Sequence, residues 1–180
     1  TNVSKTYDGL LTANGTPTVV SGTLFVNVSN GSVQDSLSGG SYSFTDKNVG
    51  SGNKTVSVSG VTVSSGENYQ ITNVDNTTST INAANLTLSG TRAYDGGTAF
   101  SGQYLTAAGM NGETFAIAGS GGDSNLTSKH VAVNQGVGLS SLTGLTLSSS
   151  SNGGLSTNYN ALSSTGSSVS VTQRNASVTG

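Results

Sequence analysis

The chain has no cysteine and no tryptophan, a single proline (Pro17), a single histidine (His130) and a single methionine (Met110) among its 180 residues. Without cysteine, disulfides and thiolate metal sites are excluded. One histidine alone cannot build a transition-metal centre or a Ser-His-acid arrangement that recurs along the chain, and a surface or rim position is expected for His130. Charge is equally scarce. Only 8% of residues are Asp, Glu, Lys or Arg, against roughly 25% in an average soluble domain. The net charge is -2 and no Lys/Arg cluster exists, so the electrostatic footprint of a nucleic-acid binder is missing and an anionic membrane is no better a partner. No apolar run is long enough to span a bilayer or to form the core of an export signal.

What fills the deficit is Ser, Thr, Asn and Gly, interleaved with Val and Leu at period two. Val56-Ser57-Val58-Ser59, Val61-Thr62-Val63, Leu86-Thr87-Leu88, Leu145-Thr146-Leu147 and Val169-Ser170-Val171 put apolar and hydroxyl side chains on opposite faces, the pattern of half-buried strands. The segment 24–28 alternates in the same way. Turn signals separate these runs: Asn14-Gly15, Asn30-Gly31, Gly39-Gly40, Asn111-Gly112, Gly121-Gly122 and Asn152-Gly153. The best helical stretch is short, residues 103–108.

The chain also repeats itself. Tyr7-Asp8-Gly9 returns as Tyr94-Asp95-Gly96, Asn68-Tyr69 as Asn158-Tyr159, and 81–90 is answered by 171–180. Lys47 and Gly60 match Lys129 and Gly144 at nearly constant spacing, which widens only before the second Asn-Tyr. There the short link 64–67 becomes 148–157, a growing Ser/Gly-rich hairpin tip. Two modules are expected, residues 1–90 and 91–180, with a short linker near Gly90 that holds them as a semi-rigid, elongated pair. The spacing reads as a window on a longer array. The fold class predicted is all-β, each module an immunoglobulin-like sandwich or a β-grasp-like sheet. A β-solenoid is the alternative, although no short rung period is visible.

The ordered landmarks Lys5-Thr6-Tyr7-Asp8-Gly9, Phe44-Thr45-Asp46-Lys47-Asn48-Val49-Gly50, 56–63 and Glu67-Asn68-Tyr69 resemble the YDG module, found in tandem in large bacterial surface proteins of the filamentous-haemagglutinin type. The second half departs from the pattern at Arg92-Ala93-Tyr94-Asp95-Gly96-Gly97-Thr98 and at Ser128-Lys129-His130-Val131, and keeps it at Asn158-Tyr159. The resemblance implies a secreted or surface-tethered adhesin at the bacterial outer surface, with the modules in its stalk. It carries over no catalytic, cofactor or metal residues.

Read residue by residue, Tyr7 and Tyr94 are core anchors, Asp8 and Asp95 close Asx turns, and Gly9 and Gly96 take the strained position. Tyr69 and Tyr159 are core tyrosines whose hydroxyls reach the surface. Calcium would call on Asp8, Asp95 and Asp123, which lack the oxygen ladder it requires. Lys47 and Lys129 read as strand-flanking lysines that discourage edge pairing, with an intramolecular isopeptide crosslink as the rarer use. Asn-x-Ser/Thr sequons such as those at Asn14, Asn53 and Asn85 are no more than composition explains.

The function expected is a non-enzymatic stalk or spacer and adhesive segment of a bacterial fibre. Its target would be a host-cell, matrix or glycan surface. The alternatives are a carbohydrate- or ice-binding β module and a filament subunit that self-associates through strand edges. No cofactor, nucleic acid or membrane insertion is expected, and no ligand-binding residue can be named.

Overall fold

The computed structural model describes residues 2–27, 33–121, 126–135 and 142–180. The protein is all-β, and the chain divides into two compact units, Thr1–Asn82 and Ala83–Gly180.

In the first unit the alternating segments become β1 (Ser4–Thr6), β2 (Thr12–Ala13), β3 (Val26–Asn27), β4 (Val33–Gln34), β5 (Leu37–Phe44), β6 (Gly50–Val63) and β7 (Asn76–Asn82). Five of them form one sheet, ordered β1-β7-β6-β5-β2, that curls into a half-barrel; β3 and β4 pair separately. The two runs 56–59 and 61–63 are one strand, β6, whose first part pairs with β7 and whose second part pairs with β5. Gly39-Gly40 is not a hairpin tip. It lies in mid-β5, where pairing passes from Gly39↔Val61 to Ser41↔Ser59. The core gathers on the inner face around Tyr7, Phe44, Val56 and Ile81, each at most 2% exposed.

The second unit holds β8 (Thr87–Ala93), β9 (Leu105–Ala108), β10 (Thr114–Ala118), β11 (Ala132–Gln135), β12 (Thr146–Ser151) and β13 (Ser168–Thr172), in the order β11-β13-β8-β9-β10-β12. Positions matched to β6 in sequence fall here on two strands: β11 pairs with β13 and β12 with β10. The expected helix at 103–108 is instead a single 3₁₀ turn, Gly102–Tyr104, followed by β9. Leu105 and Ala107 are buried while Thr106 and Ala108 are exposed, so period two prevails as soon as β8 and β10 offer pairing on both sides. The longer link in the second half is only partly loop, because Ser148 to Ser151 extend β12. The turn that ends it, Asn152-Gly153, is left-handed at both residues (φ 58° and 72°), as is Asn111-Gly112 (51° and 75°) before β10.

Each unit closes on the same device. Its first strand pairs in parallel with its last: β1 with β7 through Lys5↔Ile81, and β8 with β13 through Arg92↔Val171. One further bond extends each pair, from the Tyr7 amide to the Asn82 carbonyl (2.8 Å) and from the Tyr94 amide to the Thr172 carbonyl (2.9 Å). Each unit is thus built on one mixed sheet with a parallel terminal pair, to which the first unit adds the separate β3–β4 pair.

Gly90 is not in a linker. It pairs with Leu105 inside β8, and a Cβ there would sit 2.2 Å from the Tyr104 carbonyl oxygen. The second unit therefore tolerates only glycine where β9 crosses. Gly90→Ala should destabilise this unit by about 2 kcal/mol or more through forced backbone displacement. Chemical denaturation followed by amide NMR should show the cross-peaks of the first unit melting as in the parent.

Candidate functional site

The Tyr-Asp-Gly motif builds the same anchor twice. The Asp8 carboxylate accepts from the Leu10 amide (2.9 Å) and that of Asp95 from the Gly97 amide (2.9 Å), each an Asx turn of i to i+2 type. Gly9 and Gly96 follow at φ 78° and 86°, a region that L side chains rarely adopt. Tyr7 is 1% exposed and Tyr94 is half-buried. The third member, missed in the sequence, is a cation three residues before the aspartate. Lys5 donates to Asp8 (2.8 Å) and to the carbonyls of Leu10 (2.7 Å) and Thr12 (2.9 Å), with its ammonium 5.3 Å from the Phe44 ring centre. Arg92 pairs with Asp95, donates to the carbonyls of Ala93 and Gly97, and lies 5.7 Å from the Phe100 ring centre. The cation staples the turn to the first strand and covers an aromatic ring. Its signal was readable: Lys5 and Arg92 stand at the same offset from the two Tyr-Asp-Gly motifs.

Asp8 and Asp95, two of the calcium candidates, thus each face a cation, and they lie in different units. Asp123 lies outside the described residues. Among the described residues, no three His, Cys, Asp or Glu side chains come together at metal-binding spacing. His130 and Lys129 are exposed. The buried lysine is Lys54, not Lys47 or Lys129: it is 8% exposed in β6 and pairs with Asp46, whose carboxylate also accepts from the Asn48 amide (3.0 Å).

The second repeated device is a tyrosine clamp. In each unit a 3₁₀ turn, Gly66–Asn68 or Ser156–Asn158, delivers the tyrosine that follows it onto an acid just before β5 or β10. The Tyr69 hydroxyl donates to Asp35 (2.8 Å) and accepts from the Phe25 amide (3.0 Å). The Tyr159 hydroxyl donates to Glu113 (2.6 Å) and accepts from the Met110 amide (2.8 Å). The expectation that both hydroxyls reach the surface is corrected in the second unit. Tyr159 is 7% and Glu113 2% exposed, and the ring packs edge-on against Phe115 at 5.3 Å. A buried phenol needs a partner, and Glu113 supplies it. In the first unit the clamp is half-buried, and Asp35 also accepts from Ser64 (3.0 Å) and Ser65 (2.6 Å).

These contacts hold four carboxylates below the ordinary value of 3.8. For Asp35 the donors are Ser65 and Tyr69, and for Asp46 they are Lys54 and the Asn48 amide. For Asp95 the Gly97 amide leads, with Arg92 adding to it against desolvation. Desolvation pushes Asp8 upward, and the Lys5 and Leu10 donors together outweigh it.

The first unit also contains a cavity of about 600 Å³ between the inner face of β5–β6 and two irregular segments, residues 16–24 and 69–75. Leu37, Val56, Val58, Val61 and Val63 line its floor beside Tyr42.

Against known proteins, the family model for the YDG domain matches residues 1–80. This stretch holds the first anchor, Lys54–Asp46, the Tyr69 clamp and the cavity. No curated protein and no solved structure matches the chain.

Two outcomes test the devices. Tyr159→Phe removes one hydrogen-bond donor from a buried carboxylate and should destabilise the second unit by about 1–3 kcal/mol, with Tyr69→Phe in the more exposed clamp doing less; urea unfolding of each variant measures this. The pH dependence follows from depressed carboxylate pKa values. Stability is fully present above the unfolded value of 3.8 and is lost as pH falls through the lower folded values. The melting temperature should therefore hold from neutrality down to about pH 5 and drop steeply below about pH 4. Asp46→Asn should start lower at neutral pH and show a shallower acid limb by circular dichroism.

Proposed function

We propose that the chain is a non-enzymatic, load-bearing stalk or spacer segment of a bacterial cell-surface or secreted fibrous adhesin. It is built of two tandem YDG-type modules, each a β-grasp-like sheet. The observation that carries this reading is the parallel pairing of the first and last strands in both units. When tension enters a unit at its two ends, a parallel terminal pair is loaded in shear. All its inter-strand hydrogen bonds resist together, whereas an antiparallel pair pulled at adjacent ends opens one bond at a time. The Tyr7–Asn82 and Tyr94–Thr172 bonds lengthen the sheared pair. The cationic anchor then fastens the first strand to the turn that follows it. The YDG match to residues 1–80 supports the module assignment of the first unit. The recurrence of anchor, parallel pair and clamp supports a diverged second copy.

Single-molecule stretching tests this. Pulled through its termini, the chain should give two discrete unfolding events. The first unit should yield at a lower force when pulled across Thr12→Cys and Ser43→Cys, which stand opposite each other in the antiparallel β2–β5 pair. Featureless extension through the termini, or equal forces in the two geometries, would refute the load-bearing role.

A further inference from the structure

One difference between the two units defines a missing strand. In the second unit β9 joins β8 to β10, so the sheet runs on from the opening strand into β10 and β12. In the first unit no described strand joins β1 to β5, and the sheet stays a half-barrel. The segment that matches β9 is 16–24, since both lead up to the amide held by a clamp, that of Met110 or Phe25. Counting back from Lys5 and Arg92, Asn2 and Val3 stand for Ser89 and Gly90. No described residue of the first unit stands for Leu86, Thr87 and Leu88. In the second unit Leu86 and Leu88 are buried, with buried Ala107 of β9 opposite Leu88. In the first, Val20 of the matching segment is 73% exposed and lines the cavity above the β6 valines.

Backbone groups are open at the same place. In the second unit the chain approaching β8 pairs beside the clamp. The Ala84 amide donates to the Asn158 carbonyl (3.1 Å), and the Asn160 amide donates to the Ala84 carbonyl (2.8 Å). Their counterparts around Tyr69, the Asn68 carbonyl and the Gln70 amide, have no hydrogen-bond partner among the described residues. The chain also carries a sequence that fits. Asn85-Leu86-Thr87-Leu88 returns as Asn175-Ala176-Ser177-Val178, the same number of residues after the last strand of its unit. Residues 173–180 form no strand, and Val178 is 92% exposed.

We propose that residues 174–178 of one copy of this chain complete the first unit of a second copy as its missing strand. Arg174 takes the place of Ala84 and exchanges bonds with the Asn68 carbonyl and the Gln70 amide. Ala176 and Val178 take the places of Leu86 and Leu88 over the cavity. Main-chain bonds give affinity and the alternate side chains give specificity. Arg174 is the one charged residue in 173–180. It arrives beside Glu67 and the Asp35 carboxylate that Tyr69 holds, so the charges are complementary. The contact is heterologous and propagates into open chains of molecules.

Sedimentation velocity of the full chain tests this. Mass should rise with concentration through dimer to longer species. Val178→Asp alters only the donor and should weaken association by about tenfold or more. It should leave the melting of both units unchanged, because Val178 lies outside both sheets. Gln70→Pro removes the acceptor's amide and should weaken association as much; Tyr69 ahead of it is already extended (φ -131°, ψ 138°), as a residue before proline must be. Each variant alone should stay monomeric, and an equimolar mixture of the two should form dimers and nothing larger. A synthetic peptide of residues 173–180 should shift the amides of Gln70, Val56, Val58 and residues 18–24. A parent that stays monomeric, association untouched by Val178→Asp, or peptide shifts centred on β11 or β12 overturns the proposal. So do first-unit shifts that vanish in Val178→Asp while the parent remains monomeric, which would mean that the segment closes on its own chain.

Discussion

Everything else in each unit is arranged around the parallel contact between its first and last strands. A parallel pair cannot be made by a hairpin. It requires the chain to leave, cross the sheet and return, and its bonds form only when distant residues meet. The intervening strands are therefore subordinate to the closure: β5 and β6, or β9, β10 and β12, fill the path between the two ends. The first strand of the first unit is only Ser4–Thr6, too short to hold its place by ladder bonds alone. The Lys5 and Arg92 anchors answer this. Each ties its strand to the adjacent turn through two or more oxygens, at the register position that faces buried Ile81 or Val171. In this arrangement the Tyr-Asp-Gly motif is a lock on the terminal strand.

The tyrosine clamps act at the other end of the same problem. Long connections precede β7 and β13, and without a fixed point they would leave the last strand to find its register by pattern alone. A short 3₁₀ turn followed by a tyrosine that reaches an acid before β5 or β10 sets that point. The two versions differ in burial, and the difference follows from their surroundings. Glu113 sits under Tyr159 and Phe115, whereas Asp35 has two serines and partial exposure to share its charge. Charged hydrogen bonds strengthen as water is withdrawn, so the second unit relies on its clamp more heavily than the first.

What the sequence disclosed was local and periodic. Alternation placed β6, β8, β12 and β13, and Asn111-Gly112 and Asn152-Gly153 marked true turns, because these signals depend on neighbouring residues only. Tyr-Asp-Gly was readable for the same reason, as its Asx turn closes within three residues. What escaped depended on distance. Residues 103–108 looked helical until pairing on both sides made them strand. Gly39-Gly40 is turn chemistry used in mid-strand, and only the opposite strand shows it. Gly90 looked like a boundary because glycine marks linkers, yet it is fixed by the Tyr104 carbonyl, which lies across the pair. The acids under the tyrosines, Asp35 and Glu113, were missed because their partners lie across the sheet. The cavity was invisible because alternation marks the β6 valines as the apolar face of a strand without telling what lies over them.

Scarcity of charge and the fold's use of charge are one fact. Of the six Lys and Arg residues, Lys5, Lys54 and Arg92 are paired with aspartates. Their side chains are between 2% and 15% exposed. Half of the cations are thus withdrawn from the surface to hold strands and turns in place. In a chain with abundant surface charge, such anchors would compete with many equivalent partners in the unfolded and misregistered states. Here each aspartate has few alternatives, so the same pairs that stabilise also select the register. The consequence for recognition is direct. Long-range steering needs uncompensated charge, and a chain with only six cations and eight acids, three of each bound in these pairs, has little to offer. Binding by this protein must then rest on short-range contact, through hydroxyls, strand edges or apolar surface. In the first unit the floor of β5 and β6 offers one such concave apolar surface.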